Sequence, residues 1–187
     1  MSAGQNRKGP TESGTPLWVF GYGSLIYKVD FPFVECRAAK IRGWRRRFWQ
    51  GSHDHRGTRD APGRVVTLIP CKGAECHGMA YLVAPGVFDH LDVREKNGYM
   101  RFTTDLIFRD GQSATGWVYV ASRENQAFLG PATEREIARH IATSAGPSGS
   151  NRDYLLRLAQ ALRELGDDDA HVFAVERHLR ELERAGR

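Results

Sequence analysis

Leu17-Trp18-Val19-Phe20-Gly21-Tyr22-Gly23-Ser24-Leu25-Ile26 is an apolar, strand-like run that breaks into Gly-Tyr-Gly-Ser and then resumes. Two glycines around an aromatic open backbone conformations closed to other residues and let a ligand come close to main-chain N–H groups. Two readings follow. The segment is a tight bend where a strand turns a barrel corner, or it is a pocket whose backbone donors receive an anion or a developing oxyanion. The pattern alone leaves both open.

Outward from this run, strand-like segments occupy the first two thirds of the chain: Trp18–Phe20, Ala38–Trp49, Arg64–Ile69, Met79–Val83, Phe102–Phe108 and Gly116–Val120. Each ends in Gly, Pro or polar residues. Pro70 closes the third, and Asp110-Gly111 marks a hairpin between the last two. Helical patterns fill the final third. Thr133 and Glu136 form a capping box opening Ile137–Ser144. Asn151–Leu165 carries Leu155, Leu158, Ala159 and Leu162 at helical spacing, and a last helix over Ala170–Arg184 follows three aspartates. Strands first and helices last, with few βαβ alternations, predict an α+β fold with a mostly antiparallel sheet or small barrel. Gly146-Pro147-Ser148-Gly149-Ser150 is a breaker too short to link domains.

The chain has 187 residues, 41% of them hydrophobic and 10% aromatic. That suits one globular domain over 17–187 behind a polar, flexible tail at 1–16. The tail lacks the apolar core of a signal peptide, and no apolar run approaches the ~18–20 residues that cross a bilayer. Cys36, Cys71 and Cys76 are odd in number and lack zinc-knuckle spacing, which predicts free thiols in a reducing, cytoplasmic setting.

The net charge is +5. Basic and aromatic residues interleave in Arg42-Gly-Trp-Arg-Arg-Arg-Phe-Trp49. Arg45–Arg47, Phe48 and Trp49 would suit a nucleic-acid stripe, but the modest global charge favours a barrel strand with snorkelling arginines and no nucleic-acid partner. His53 and His55 lack a third metal ligand, so this loop is read as a structural hydrogen-bonding segment and no metal is expected.

A carboxylate sits in an unusual place. Pro85 and Asn97-Gly98 delimit a three-turn helix. Phe88 and Leu91 share its inward face, and Glu95, four residues after Leu91, falls on that face in the last turn. Burial and the negative end of the helix dipole both push such a carboxylate toward the range of a general base. The competing reading is a solvated, self-paired Arg94-Glu95-Lys96 run.

Several motifs together resemble one family, the ChaC-type glutathione-specific γ-glutamylcyclotransferases. They are Trp18–Ile26 with Lys28-Val-Asp-Phe-Pro32, Arg46-Arg-Phe-Trp-Gln-Gly-Ser52, Asp54-His-Arg-Gly57 and Pro62–Leu68. Leu91-Asp-Val-Arg-Glu-Lys-Asn-Gly-Tyr99, Leu129-Gly-Pro131, Ala145–Gly149, Asn151 and Tyr154-Leu155 continue the likeness, which spans Leu17 to Leu182. The resemblance implies a small mixed β-barrel with flanking helices. It also implies cleavage of glutathione to 5-oxoproline and cysteinylglycine, without metal or cofactor. The family's catalytic glutamate falls on Glu95, and its γ-glutamyl-binding loop on Val19, Phe20, Gly21, Tyr22, Gly23, Ser24 and Leu25. Tyr154 matches a substrate-contacting tyrosine. Tyr27 stands where the family often has Trp, and Asn97 replaces a frequent Gly. A same-fold enzyme for other γ-glutamyl compounds, or a protein that binds them without cleaving, is the alternative. The sequence sets no oligomeric state.

Overall fold

The computed structural model describes residues 14–94 and 98–186. The Met1–Pro16 tail expectation therefore falls almost wholly outside the described residues, as do Glu95 and Asn97.

Five strands close into a barrel: β1 (Leu17–Gly21), β2 (Glu35–Ser52), β3 (Gly63–Val83), β4 (Tyr99–Phe108) and β5 (Ser113–Ala121), in the order β1-β3-β2-β4-β5. All neighbours are antiparallel except β5, which returns to β1 in parallel at Trp18↔Gly116 and Val19↔Trp117. The barrel is mixed and mostly antiparallel, as the sequence predicted.

β2 and β3 pair along nearly their whole lengths, from Glu35↔Leu82 to Ser52↔Gly63. Strands this long must bend to serve a small barrel. The register slips between Arg42 and Trp44, where Gly43 takes a left-handed φ of +82°, with Gly73 at +80° across from it. Only glycine enters that region without steric penalty.

The separate strands expected at Arg64–Ile69 and Met79–Val83 are one strand, so the break read at Pro70 is corrected. β1 pairs only with Met79–Val83 of β3. Pro70 therefore lies where one side of β3 has no strand partner, the setting in which a missing N–H is tolerated.

Helix α1 (Gly86–Arg94) crosses between β3 and β4, with Phe88 and Leu91 buried as expected. The part of the expected helix from Glu95 to Asn97 lies outside the described residues. Helices α2 (Glu134–Ala142), α3 (Asn151–Leu165) and α4 (Ala170–Ala185) cover the outer halves of β2 and β3. The capping box holds: Thr133 Oγ1 accepts from the Glu136 N–H at 3.2 Å and Glu136 Oε2 from the Thr133 N–H at 2.9 Å. Between α2 and α3, the predicted breaker is a minimal hairpin of β6 (Ala145–Gly146) and β7 (Gly149–Ser150).

Side-chain amides and rings fasten the helices to the strands. Asn151, fully buried, both accepts from the Arg64 N–H (2.7 Å) and donates to the Arg64 carbonyl (2.8 Å), standing in for a missing strand. His171 Nε2 accepts from the Phe48 N–H at 3.1 Å. One core fills the barrel and the helix layer, with Phe20, Ile41, Phe48, Leu106, Leu155 and Leu158 buried together. A second, around Val19, Tyr81, Phe88 and Leu91, lies beneath α1.

Candidate active site

The chain folds back on itself where β1 ends. A Cβ on Gly21 would lie 2.5 Å from Leu25 Cβ, so no larger residue fits without moving the turn. A single 3-10 turn follows at Ser24–Ile26, closed by Ile26 N–H to Gly23 O (3.0 Å) and Tyr27 N–H to Ser24 O (3.1 Å). Gly23 packs against α3 and β3: a Cβ there would stand 3.1 Å from both Tyr154 Oη and Val66 Cγ2.

Three elements pin this loop. The Tyr22 hydroxyl donates to the Tyr119 carbonyl on β5 at 2.7 Å. Tyr81 of β3 donates to the Leu25 carbonyl at 2.5 Å. From behind, Arg46 Nε donates to the Tyr22 carbonyl at 2.6 Å. Arg46 is fully buried, its Nη1 lying 2.5 Å from Asp169 and 3.4 Å from Asp167, and its Nη2 bonding the His77 carbonyl. Burial opposes its charge, yet the Cys76 sulfur and the two aspartates outweigh that and hold the guanidinium above its ordinary pKa. Cys76 itself is pushed up to about 11 by burial.

These bonds all engage carbonyls or side chains. Among the described residues no acceptor stands against the N–H groups of Gly23, Ser24 and Leu25. Such orphan donors at the start of a helical turn call for an electronegative partner.

The loop forms one wall of a cleft of about 1520 Å³, which has room for a small peptide. Phe20, Gly21, Tyr22, Gly23, Ser24, Leu25 and Tyr154 all line it. Val19 is separated from them: its side chain is fully buried in the second core cluster and is not among the lining residues. The facing wall comes from the end of β2 (Gln50–Ser52) and the loop through Arg56, with Leu91 of α1, Gly98 and Asn125 completing the rim. Tyr154, one turn into α3, accepts from the Val66 N–H at 3.3 Å, and burial raises its phenol pKa. Tyr27 packs edge-on to Tyr154 behind the cleft and borders a separate small cavity instead.

The other sequence candidates resolve differently. His55 Nδ1 lies 2.9 Å from Ser148 Oγ, and Ser52 Oγ accepts the Arg56 N–H at 2.9 Å, so the histidine loop is tied by hydrogen bonds. No group of three His, Cys, Asp or Glu suited to a metal occurs among the described residues. The basic stripe divides by strand alternation. Arg46 and Phe48 face inward and are buried, so Phe48 cannot serve as a stacking platform. Lys40 and Arg42 share Glu75 at 2.8 and 3.3 Å. Sequence reasoning missed Arg56 and Gln50 as cleft residues. Both lie in motifs that carried the family resemblance but were given no role of their own, and the β2–β3 pairing brings them to the cleft.

The ChaC-like protein family model matches residues 17–182. The chain belongs to this family. It is 44% identical over 178 residues to γ-glutamylcyclotransferase 2-3 of Arabidopsis thaliana, covering 89% of each chain. It is 40% identical to glutathione-specific γ-glutamylcyclotransferase 1 of Danio rerio, covering 87% of this chain and 88% of that one. A crystal structure of a yeast γ-glutamyl cyclotransferase specific to glutathione superposes with a TM-score of 0.82 at 32% identity, over 90% of this chain and 97% of the other. The barrel is thus a γ-glutamylcyclotransferase fold. No helix among the described residues is long and apolar enough to cross a membrane, and all three cysteines are free.

Proposed function

We propose that this ChaC-family chain cleaves glutathione by cyclising its γ-glutamyl group, releasing 5-oxoproline and cysteinylglycine. The observation that carries the reading is the glycine loop: three adjacent N–H groups with no described acceptor, held rigidly at the wall of a peptide-sized cleft. The glutathione-specific relatives, similar over most of their length, support the choice of substrate.

The chemistry needs a base, a bent substrate and an oxyanion site. Glu95 removes a proton from the substrate's α-ammonium. The freed nitrogen attacks the γ-carbonyl carbon of the same residue, and the loop donors receive the oxygen as it becomes an oxyanion. The bond to the cysteinyl nitrogen then breaks as that nitrogen takes the proton from Glu95, and the ring nitrogen gives up its second proton, so that the lactam keeps one N–H and the released amine ends as an ammonium. Because the attack is intramolecular, holding the γ-glutamyl arm folded supplies much of the acceleration. Support for Glu95 is positional. Leu91, four residues before it, and Gly98, three after it, both line the cleft. The free cysteines support a cytoplasmic setting.

Purified protein mixed with glutathione is expected to yield equal amounts of 5-oxoproline and cysteinylglycine. Glu95→Gln is expected to keep the fold and to lower turnover by at least ~10²-fold, the scale of a lost general base. Near-wild-type turnover in that variant would refute the assignment of the base. Faster cleavage of γ-glutamyl-alanine than of glutathione would refute the assignment of the substrate.

A further inference from the structure

Gln50 carries a side-chain amide that is only 1% exposed and yet lines the cleft. Its direction follows from a register slip. Arg47 pairs with Thr67 and Gln50 with Val65, so three steps along β2 match two along β3. Directly opposed residues share a face, and so do Thr67 and Val65, two apart on one strand. The extra residue therefore takes Gln50 off the face of Phe48 and puts it on that of Thr67. On that face Thr67 Oγ1 donates to the Ala121 carbonyl, where β5 ends, at 2.8 Å.

The two ends of the amide are told apart by its neighbour. Asn125 Oδ1 accepts from the Ala127 N–H at 2.9 Å, a backbone donor that identifies it as the oxygen. Only the nitrogen end of Gln50 can face that oxygen, and Nε2 donates to it at 3.1 Å. Oε1 is left over. It is buried and has no hydrogen-bond partner among the described residues. Asn151, the other buried amide of the strand ends, uses both of its ends on the Arg64 backbone. An acceptor taken out of water and left unpaired destabilises the fold, so one retained at a cleft calls for an incoming donor.

Glutathione offers four kinds of donor: an α-ammonium, two amide N–H groups and a thiol. Position selects among them. Asn125 stands against Gly98, where an added Cβ would lie 2.9 Å from its Nδ2. Through Asn125, Gln50 is thus joined to the wall to which the chain returns three residues after Glu95, across from the glycine loop. The nitrogen that Glu95 deprotonates belongs on this side, and the carbonyl oxygen on the loop side. After losing one proton the amine keeps two N–H groups, and an acceptor on one of them turns the lone pair toward the γ-carbonyl carbon. A neutral amide oxygen does so without a charge that would oppose the deprotonation.

We propose, resting on the glutathione reading above, that Gln50 Oε1 accepts a hydrogen bond from the substrate's α-nitrogen and aims that nitrogen at the γ-carbonyl carbon. Glu95 takes the proton; Gln50 sets the direction of attack.

The probe is the glutaryl analogue of glutathione, which keeps both carboxylates and the thiol but lacks the α-nitrogen and cannot cyclise. Its inhibition constant against glutathione turnover is measured in the wild type, Gln50→Met and Gln50→Glu. Gln50→Met is expected to lower kcat/KM for glutathione by about tenfold or more, the scale of one hydrogen bond to a charged group, while the analogue's inhibition constant stays within about threefold. Gln50→Glu, which keeps an oxygen at that point, is expected to recover part of the loss. A folded Gln50→Met that weakens both compounds alike would assign Gln50 to the shape of the cleft or to another donor and overturn the proposal. An unchanged kcat/KM would overturn it too. The wild type alone gives a check that needs no variant: the analogue's inhibition constant should exceed the KM for glutathione, and a value no greater than that KM contradicts a grip on the α-nitrogen. Should the wild type release no 5-oxoproline, the cleavage reading fails by itself. Equilibrium binding then decides on Gln50: a Gln50→Met protein that binds glutathione about tenfold more weakly but the analogue as before supports it, and equal effects on the two refute it.

Discussion

Gly21 shows how much of the site depends on single atoms. Its missing Cβ leaves room for Leu25 to fold back, and the added methyl of Gly21→Ala would sit 2.5 Å from Leu25 Cβ, a backbone-proximal atom that cannot swing aside. The 3-10 turn must then move, taking the Ser24 and Leu25 donors with it. Loss of a well-aimed oxyanion donor costs roughly 10²–10³-fold in rate. Gly21→Ala is therefore expected to lower kcat/KM for glutathione by that order with an unchanged far-UV circular dichroism spectrum. Full activity would show that the turn does not serve the reaction. At this scale the sequence was informative where residue type constrains the backbone: the glycines and the aromatic between them announced either a bend or a pocket, and the structure contains both in one loop. Val19 could not be sorted from its neighbours, because strand alternation sends it into the core while Phe20 and Gly21 reach the cleft. Arg46 and Arg56 were hidden for another reason. Both lie in basic or polar runs, and only tertiary pairing decides which member of such a run is buried.

Between elements, Arg46 ties the glycine loop to the α3–α4 corner through Tyr22, Asp167 and Asp169. Arg46→Met would keep the apolar stem but strand two largely buried carboxylates, a change that costs about 3–5 kcal/mol in comparable buried pairs. Thermal unfolding should shift down by roughly 6–20 °C, at ~2–4 °C per kcal/mol for a domain this size. A shift of a degree or less would mean that the corner is held by packing alone.

His171 links α4 to β2 and α2 in a pH-dependent way. Its Nε2 accepts the Phe48 N–H, so Nδ1 carries the proton and faces Glu134 Oε1 at 3.2 Å. Burial lowers its pKa from the ordinary value of about 6.5, and the Glu134 contact only partly opposes this. The unfolded chain thus binds a proton before the folded one does, and stability falls as pH drops below about 6.5. The melting-temperature gap between wild type and His171→Gln is expected to narrow from pH 8 to pH 5. A gap that stays constant would show that His171 is not titrating on unfolding. The helices here were legible from capping residues and periodicity, with α3 found at its predicted bounds of Asn151–Leu165. β3 was not, because a proline inside a strand reads as a stop unless the strand is known to be unpaired on that side.

The whole molecule brings residues from β1, β2, α1, β5 and α3 to one cleft, so no local stretch could have disclosed its shape. The motifs scattered from Leu17 to Leu182 gave its chemistry away first, and the barrel explains much of their scatter: most of them, though not Leu129-Gly-Pro131, contribute residues to the common cavity. The central claim is that the γ-glutamyl amide is broken by the substrate's own nitrogen rather than by water. It is tested by turning over glutathione in water enriched in oxygen-18 and weighing the products. Intramolecular cyclisation predicts 5-oxoproline free of solvent oxygen, in step with cysteinylglycine. Glutamate carrying one solvent oxygen would show hydrolysis instead and contradict the account.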